Sequence, residues 1–517
     1  MDDIYRQPSL TPSKRDLQYV TKVDELMEGS YSSPVFSPKL EDALASMASS
    51  RTPRSRKTPR SRLVQQSSDG VGIYEDTISR QSYELLDSTA EDTKEQEKEL
   101  QSEGSSYFGA SANGVNLLLG VGVLSLPYAI KCAGWYVGVG LLIFLTIVTN
   151  HTGKLIGKMM DRDVENIRSF GDIGKAAFGS AGQYIITITF FLELFSACGM
   201  YLILTGDNLH TLFPQYTQRF WTLIGAAIMV PTALTSKLSF LSYFSVIGTF
   251  ASTFLCLSVI YLGYILKKDA EYGGGSYIDP AATDTYTNIN SAPFSIGLVM
   301  VGFAGHACFP SIKLSLANQR DYNAVLNTSY FVCFTFYTSI AILGYLMYGR
   351  AVDEEITFNI MKSTGGENVS DIAKSVANLA TWLVAINPCT KFGLTMNPVA
   401  LLVEESFCNS SASEDGIIDD DDKSCFGYFK SFAIRIVLSV SVFFVAVYIP
   451  YFADVVAFIG AFCSCFVSLV FPCAAYLQIF KKEISTMEYL LNSFFVFIGL
   501  ICCVWGTCSV FMFKKTP

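Results

Sequence analysis

The chain has 517 residues, of which 50% are apolar and only 16% are charged, whereas soluble proteins carry about 25% charged residues. This shortage of charge predicts a membrane protein. The net charge of −9 argues against a nucleic-acid partner, which needs clustered basic surface. The chain has only three histidines, which disfavours a metal site built from imidazole ligands. The 14 cysteines show no repeated C-x-x-C pair at zinc spacing. We therefore expect no metal and no cofactor.

Residues 1–104 differ in composition from the rest of the chain. They are rich in Ser, Thr, Pro, Arg and Glu, and they contain no apolar stretch that would offset the entropy of ordering the chain. The segment 51–62 is strongly basic and holds two Thr-Pro pairs. The pattern predicts a disordered cytosolic tail over 1–104, whose Ser-Pro and Thr-Pro pairs are candidate substrates of a kinase.

From residue 105 onward, apolar segments of about 20 residues recur, each long enough to cross a hydrocarbon core about 30 Å thick as a helix. They lack the period-two alternation of strands. We predict an all-α polytopic membrane protein, with a transmembrane domain over 105–513 and a short C-terminal tail over 514–517. The eighth segment is the least apolar. The predicted spans number about eleven: 107–130, 134–157, 183–206, 219–235, 240–266, 293–316, 325–348, 372–403, 429–450, 454–477 and 489–513.

Lys and Arg gather mainly on one side of these spans, which the positive-inside rule makes the cytosolic side. That side also carries the N-terminal tail, and an odd number of spans sends the C-terminus to the far side. The sequon that begins at Asn368 then falls in a loop outside the cytosol and is a candidate glycosylation site.

Two predicted spans are interrupted in the same way. The first contains NGVNLLLGVGVLSLP and the sixth contains GFAGHACFP, with a glycine and a proline five positions apart in each, Gly122 with Pro127 and Gly305 with Pro310. In lipid, freed backbone groups are tolerated only where they line a cavity or find partners. In a five-plus-five inverted repeat, spans one and six are equivalent, and paired interrupted helices indicate the site of a secondary transporter. The alternative is that these glycines only allow close helix packing.

The chemistry of two such breaks suggests a class of ligand. The N-termini of half-helices present free N–H groups and a positive dipole end, which suit a carboxylate. Unwound carbonyl groups of the facing helix suit an ammonium group. A site that offers both is complementary to a zwitterionic α-amino acid.

Three motifs carry a resemblance to a known family. The N-x-x-x-G-x-G-x-L-x-x-P pattern over 116–127, GHACFPSI over 305–312 and INPCTKFGLTMNP over 386–398 resemble the amino acid/auxin permease family. The long polar tail is similar to that of its plant vacuolar amino acid transporter subgroup, which is akin to the vesicular inhibitory amino acid transporters. The resemblance implies a fold similar to bacterial neurotransmitter/amino acid symporters, and proton-coupled movement of amino acids across an acidic organelle membrane.

The resemblance also assigns candidate substrate-binding residues at the two breaks, and Asn116 matches an asparagine that sodium-coupled relatives use near their ion. The small residues of the second break favour neutral amino acids. The candidates are Asn116, Gly120, Gly122 and Leu124 in the first span, and Gly302, Ala304, Gly305 and His306 in the sixth.

Three ionisable residues at membrane depth are candidates for proton coupling, because charges there are costly and usually functional. Glu193 lies in the third span, Lys391 in the eighth, and His306 beside the second break. In a sodium-coupled fold, a buried Lys391 would replace the metal cation and titrate instead. The alternatives are a helix-to-helix hydrogen bond for Glu193, a side chain that reaches the membrane surface for Lys391, and packing for His306.

The sequence thus predicts a proton-coupled carrier of mainly neutral amino acids that works by alternating access in an organelle membrane, most simply the vacuole. Antiport and symport both fit. A nutrient receptor on the same scaffold is the main alternative, and net flux separates the two. A plasma-membrane auxin or amino acid permease is another. An intramembrane enzyme is disfavoured, because Asp207 and Asp454 stand alone at span ends and supply no catalytic pair.

Overall fold

The computed structural model of the chain describes residues 104–234, 238–267, 275–286, 290–411 and 420–512. The predicted N-terminal tail, with its kinase sites, and the tail over 514–517 lie outside the described residues. Within those ranges the chain is nearly all helical, and β pairing is limited to one isolated parallel bridge between Ser105 and Leu316. The helices are α1 (Tyr107–Leu118), α2 (Leu126–Ala133), α3 (Trp135–Arg162), α4 (Phe170–Leu212), α5 (Gln218–Leu234), α6 (Leu238–Ile265), α7 (Ala292–Met300), α8 (Phe309–Ser315), α9 (Tyr322–Tyr348), α10 (Ile356–Thr364), α11 (Asp371–Ser411), α12 (Asp420–Tyr448), α13 (Phe452–Phe458), α14 (Phe471–Ile479) and α15 (Thr486–Met512).

Eight helical spans in the described residues are long and apolar enough to cross a membrane, and the bent pair α1 and α2 makes a ninth. The predicted fourth and eighth spans also form helices, the 17-residue α5 and the 41-residue α11, although neither is among those nine. The all-helical membrane architecture is therefore confirmed, whereas the number eleven stays a prediction.

The helical bundle has two opposite faces, at which the helices begin and end. Where α1 begins, Lys313 of α8 pairs with Asp161 of α3 at 2.5 Å, and Arg162 pairs with Glu483 at 2.9 Å. We call this end the N-terminal face. Where α2 ends, Lys131 donates to the carbonyl of Val352 at 2.7 Å. This end, which also contains Glu355, is the opposite face.

Helix α7 lies at the centre of the bundle and is buried on all sides from Pro293 to Met300, as an apolar helix without a polar face must be. It packs against the span that begins with α13 at a distance that only glycine permits. A Cβ on Gly297 would lie 2.0 Å from the carbonyl oxygen of Ala457, and a Cβ on Gly460 would lie 1.8 Å from that of Gly297. This backbone-to-backbone contact holds the first half of the sixth span against the tenth.

Candidate functional site

The first span is broken as predicted, with a bend of 50° between its halves. Helix α1 ends at Leu118, Gly120 is extended, a short 3-10 turn covers Val121–Ser125, and α2 then begins. Pro127 lies in the first turn of α2, where its missing N–H leaves no helical hydrogen bond unmade. The break therefore frees carbonyl groups at the end of α1 and N–H groups at the start of the second half.

The sixth span is broken at the equivalent place. After α7 and a 3-10 turn, Ala304 is extended and Gly305 has a φ of +157°, and α8 starts with Pro310 in its first turn. Residues with side chains rarely adopt that φ, which explains the glycine. The two breaks touch, since a Cβ on Gly122 would lie 2.4 Å from Cγ1 of Val301.

Tyr337 of α9 joins the two breaks. Its hydroxyl lies 2.5 Å from the carbonyl oxygen of Leu118 and 2.6 Å from that of Gly302, and it donates to this pair. The side chain is fully buried. Because unpaired carbonyls are costly in an apolar surrounding, this phenol stabilises both interruptions with one group.

A cavity of about 440 Å³ lies beside the first break, between α1, α4, α8 and α11. This volume is typical of small-molecule sites. The cavity extends along α1 and α8 toward the N-terminal face, and the contact between Gly122 and Val301 lies on its other side. Its lining consists of Asn113, Asn116, Leu117, Gly120, Tyr201, Cys308, Ser311, Ile312, Ser315, Lys391, Leu394 and Thr395.

Lys391 brings a positive charge to the first break. Its Nζ donates a long hydrogen bond of 3.4 Å to the carbonyl of Leu119. Gly248 of α6 leaves room for the lysine stem, since a Cβ there would lie 2.9 Å from Cε of Lys391. Nearby, Asn116 accepts a hydrogen bond of 2.6 Å from the hydroxyl of Thr249. The lysine amino group and the asparagine thus flank the broken helix within one cavity.

The remaining predicted residues lie around the cavity rather than on its wall. Gly122 and Leu124 are buried in the 3-10 turn of the first break, and Gly302, Ala304 and Gly305 form the backbone of the second. Of the predicted binding residues in the described chain, Asn116 and Gly120 line the cavity together with Lys391.

His306 is fully buried and turns toward α3. Its Nε2 lies 2.9 Å from the hydroxyl of Thr152 and 3.0 Å from the carbonyl oxygen of Thr149, and its ring packs on Phe309 with centroids 4.7 Å apart. The side chain therefore anchors the second break to α3.

Glu193 is buried in the middle of α4 and accepts a hydrogen bond of 2.6 Å from Ser464. Ser464 ends a π-helical turn, Ile459–Ser464, in the tenth span. Such turns are rare in proteins, and those that occur often lie at functional sites. Glu193 thus links the third span to an irregular segment of the tenth, and it is not among the residues that line the cavity.

Sequence reasoning missed several residues of the site. Ser311 and Ser315 follow the second break four positions apart, so they share one face of α8, and this spacing was a usable signal. Tyr337 had no local signal, because a tyrosine in an apolar span is ordinary. Its role depends on carbonyl groups 219 and 35 positions away.

The architecture defines a class: a polytopic helical membrane protein with two facing broken helices and a cavity at the break. Its fold is similar to that of MhsT, solved in complex with L-phenylalanine, with a TM-score of 0.52 and 11% identity over 79% of this chain and 99% of that one.

The family follows from the sequence comparisons. A family model described as "Transmembrane amino acid transporter protein" matches residues 103–512. The Arabidopsis thaliana proteins named amino acid transporter AVT1B and AVT1D are 31% and 32% identical, over 79% and 78% of this chain and 71% and 69% of theirs. The Caenorhabditis elegans vesicular GABA transporter is 23% identical over 84% of this chain and 85% of its own.

The chain therefore belongs to the transmembrane amino acid transporter family, the amino acid/auxin permeases, and the resemblance drawn from the three motifs is confirmed. It is a multi-pass membrane transporter of amino acids rather than an enzyme.

Proposed function

We propose that the protein couples a proton to the movement of neutral amino acids across an organelle membrane, by alternating access around the cavity at the first break. The observation that carries this proposal is the position of Lys391, whose amino group reaches the carbonyl of Leu119. Freed carbonyls at a broken helix attract a cation. A lysine there supplies the positive charge without a metal ion, and it can lose and regain that charge as a proton.

The lining of the cavity supports a neutral substrate. Among its described residues Lys391 alone is charged, and the others are apolar, amide, hydroxyl or thiol side chains. A cationic side chain on the substrate would find no carboxylate among them. The freed backbone groups of the two breaks would bind the amino and carboxyl groups that all amino acids share.

Alternating access is supported by the asymmetry of the site. The cavity extends toward the N-terminal face, whereas Gly122 and Val301 are in contact on its other side. Transport requires this contact to open and the N-terminal face to close, with Lys313 and Asp161 among the groups available to close it. A proton and a substrate that bind the two states with different affinities would drive the exchange.

For location we propose the vacuolar membrane with the N-terminus in the cytosol. The resemblance to the plant vacuolar subgroup and the Arabidopsis relatives support the first part, and the distribution of Lys and Arg supports the second. Asn368 is exposed in the loop between α10 and α11, at the opposite face. Glycosylation of Asn368, seen as a gel shift that is lost in Asn368→Gln, would place that loop in the lumen. A shift that persists in Asn368→Gln would instead assign the glycan elsewhere.

The test of function is uptake by the purified full chain in proteoliposomes. Labelled Gln, Leu, Ile, Tyr, Ala and GABA are each supplied with the lumen acidic, with the outside acidic and with no gradient. We expect accumulation of neutral amino acids that follows the pH gradient and collapses with a protonophore, and its direction distinguishes symport from antiport. Binding without net flux would contradict the proposal and favour a receptor. Uptake that is independent of the gradient would contradict proton coupling.

A further inference from the structure

A second cavity, of about 490 Å³, lies at the opposite face and is distinct from the one at the first break. The end of α4, the start of α5, α10 with the segment before it, and the start of α13 enclose it. Its ionisable lining is mostly acidic and consists of Asp207, His210, Glu354, Glu355 and Lys362.

Glu355 is the unusual member of this group, because its side chain is fully buried. Its Oε2 accepts a hydrogen bond of 2.7 Å from the amide of Asn208. Its Oε1 is also buried and has no hydrogen-bond donor in the described part of the chain. The neighbouring carboxyl group is that of Asp207, which lies within hydrogen-bonding reach of Glu355.

Two carboxylates in contact cannot both remain ionised at low cost, and one of them keeps its proton. Burial raises the pKa of Glu355 well above the usual carboxyl range, and the charge of Asp207 raises it further. A proton between the two groups converts a repulsion into a hydrogen bond and uses the buried oxygen that otherwise has no donor.

We propose that Asp207 and Glu355 bind a single proton between them and that this proton holds the opposite face closed. The pair would then act as a gate that responds to pH on that side of the membrane. This gate rests on the proposed function and adds to it a second proton-binding site, which is separate from the substrate cavity and from Lys391.

The pair sits where four elements are joined. Gln218 at the start of α5 donates to Asp207 and also, at 3.3 Å, to the carbonyl of Pro450 just before α13. Glu354 accepts a hydrogen bond of 3.0 Å from the backbone N–H of Ala453 in α13. Opening of this face would separate these elements and hydrate the pair.

Other charged groups surround the pair. Lys362 of α10 is already paired with Asp353 at 2.7 Å, and Nδ1 of His210 lies 2.8 Å from the carbonyl oxygen of Tyr216. Lys131 of α2 donates to Val352. Glu354 on the same segment is a further acidic group near the pair, so it adds to the preference for a bound proton. Asp454 lies in the first turn of α13.

The direction of the pH effect follows from linkage. When this face is open and hydrated, the pKa of Glu355 returns to the usual glutamate value of about 4.3. When the face is closed, burial raises the pKa of Glu355. The stabilisation of the closed face is therefore fully present below the ordinary carboxyl pKa and is lost as the pH rises through the raised value. An acidic medium at this face favours closure.

The test measures the gate without substrate, so its failure leaves the uptake result untouched. Met361, which lines the cavity, is replaced by cysteine, and the rate of labelling by a membrane-impermeant maleimide is followed as a function of pH. The labelling rate of Glu367→Cys, at an exposed loop position, gives the pH dependence that comes from thiol ionisation alone. The unsubstituted chain gives the background labelling of the protein's own cysteines. Because the proton is bound more tightly in the closed state, the ratio of open to closed states increases with pH, and we expect corrected labelling to rise at least about tenfold between roughly pH 5 and pH 8.

Two variants assign the effect to the pair. Glu355→Gln keeps the shape of the side chain and donates to Asp207 at any pH, so labelling should stay slow and independent of pH. Asp207→Asn should likewise abolish the pH dependence of labelling. It replaces Glu355→Gln as the test if that variant does not fold. Thr364→Val is the matched control, because Thr364 is a buried threonine of helix α10 that donates to the carbonyl of Ile360 at 2.8 Å rather than to the pair, and its pH dependence should be unchanged.

The proposal fails if labelling of the parent does not change with pH, or if Glu355→Gln keeps the parental pH dependence. It also fails if, at fixed pH, added Na⁺ or Ca²⁺ slows labelling in the parent and not in Glu355→Gln, because the pair would then bind a metal cation rather than a proton.

Discussion

The hydroxyl of Tyr337 lies 2.6 Å from the carbonyl oxygen of Gly302, at the break of the sixth span. The same hydroxyl lies 2.5 Å from the carbonyl oxygen of Leu118, at the break of the first. One side chain of α9 therefore supports two interrupted helices that the chain sequence separates by almost two hundred residues.

Tyr337→Phe removes that donor with little change in shape. Both buried carbonyls lose this donor, although that of Leu118 still accepts from the backbone N–H of Gly120. The loss costs about 1–3 kcal/mol, so we expect a lower Tm in detergent and slower uptake. Tyr448→Phe is the matched control, because Tyr448 is 80% exposed and should leave both quantities unchanged. An unaltered Tm in Tyr337→Phe would show that the hydroxyl does not support the breaks.

Gly122→Leu should abolish uptake while the protein still inserts into the membrane. The added side chain would overlap Val301, since even a Cβ would come within 2.4 Å, and overpacking of this kind costs about 1–3 kcal/mol. Gly140→Leu is the control, because a Cβ at Gly140 meets no atom within 4 Å. Parental uptake by Gly122→Leu, measured in proteoliposomes, would exclude the first break from the transport site.

Lys391→Met should uncouple transport from the proton. Without the amino group beside Leu119, accumulation driven by a pH gradient should fall at least about tenfold, equivalent to about 1.4 kcal/mol, while exchange of substrate without a gradient is retained. Lys374→Met, on the same helix but outside the cavity, should behave like the parent. If Lys391→Met still concentrates substrate in response to the gradient, another group carries the proton.

Glu193→Gln should lower the dependence of uptake on the pH gradient more than it changes the apparent KM. The substitution keeps the hydrogen bond from Ser464 available but removes the ability to bind and release a proton. Glu367→Gln, in an exposed loop, is the control. A parental gradient dependence in Glu193→Gln would leave this residue with a structural role only, and an increase in KM alone would place it in substrate binding.

The sequence by itself determined the features that depend on local chemistry. Long apolar segments predicted membrane helices, because each helix satisfies its own backbone in lipid. Gly122 with Pro127 and Gly305 with Pro310 located the two breaks, because these residues interrupt helices through their own backbone properties. The same motifs were sufficient to indicate the family.

Only the tertiary structure decided which side chains meet at those breaks. Lys391 contacts Leu119 from 272 positions away, and Tyr337 reaches Leu118 across 219. His306, next to a break in sequence, points away from the cavity toward Thr152. Glu355 has no signal of its own in the sequence, and the sequence presents Asp207 as an isolated charge at a helix end. The physical reason is that a side chain's partners are set by the packing of helices remote in sequence, and no periodicity along the chain records that packing.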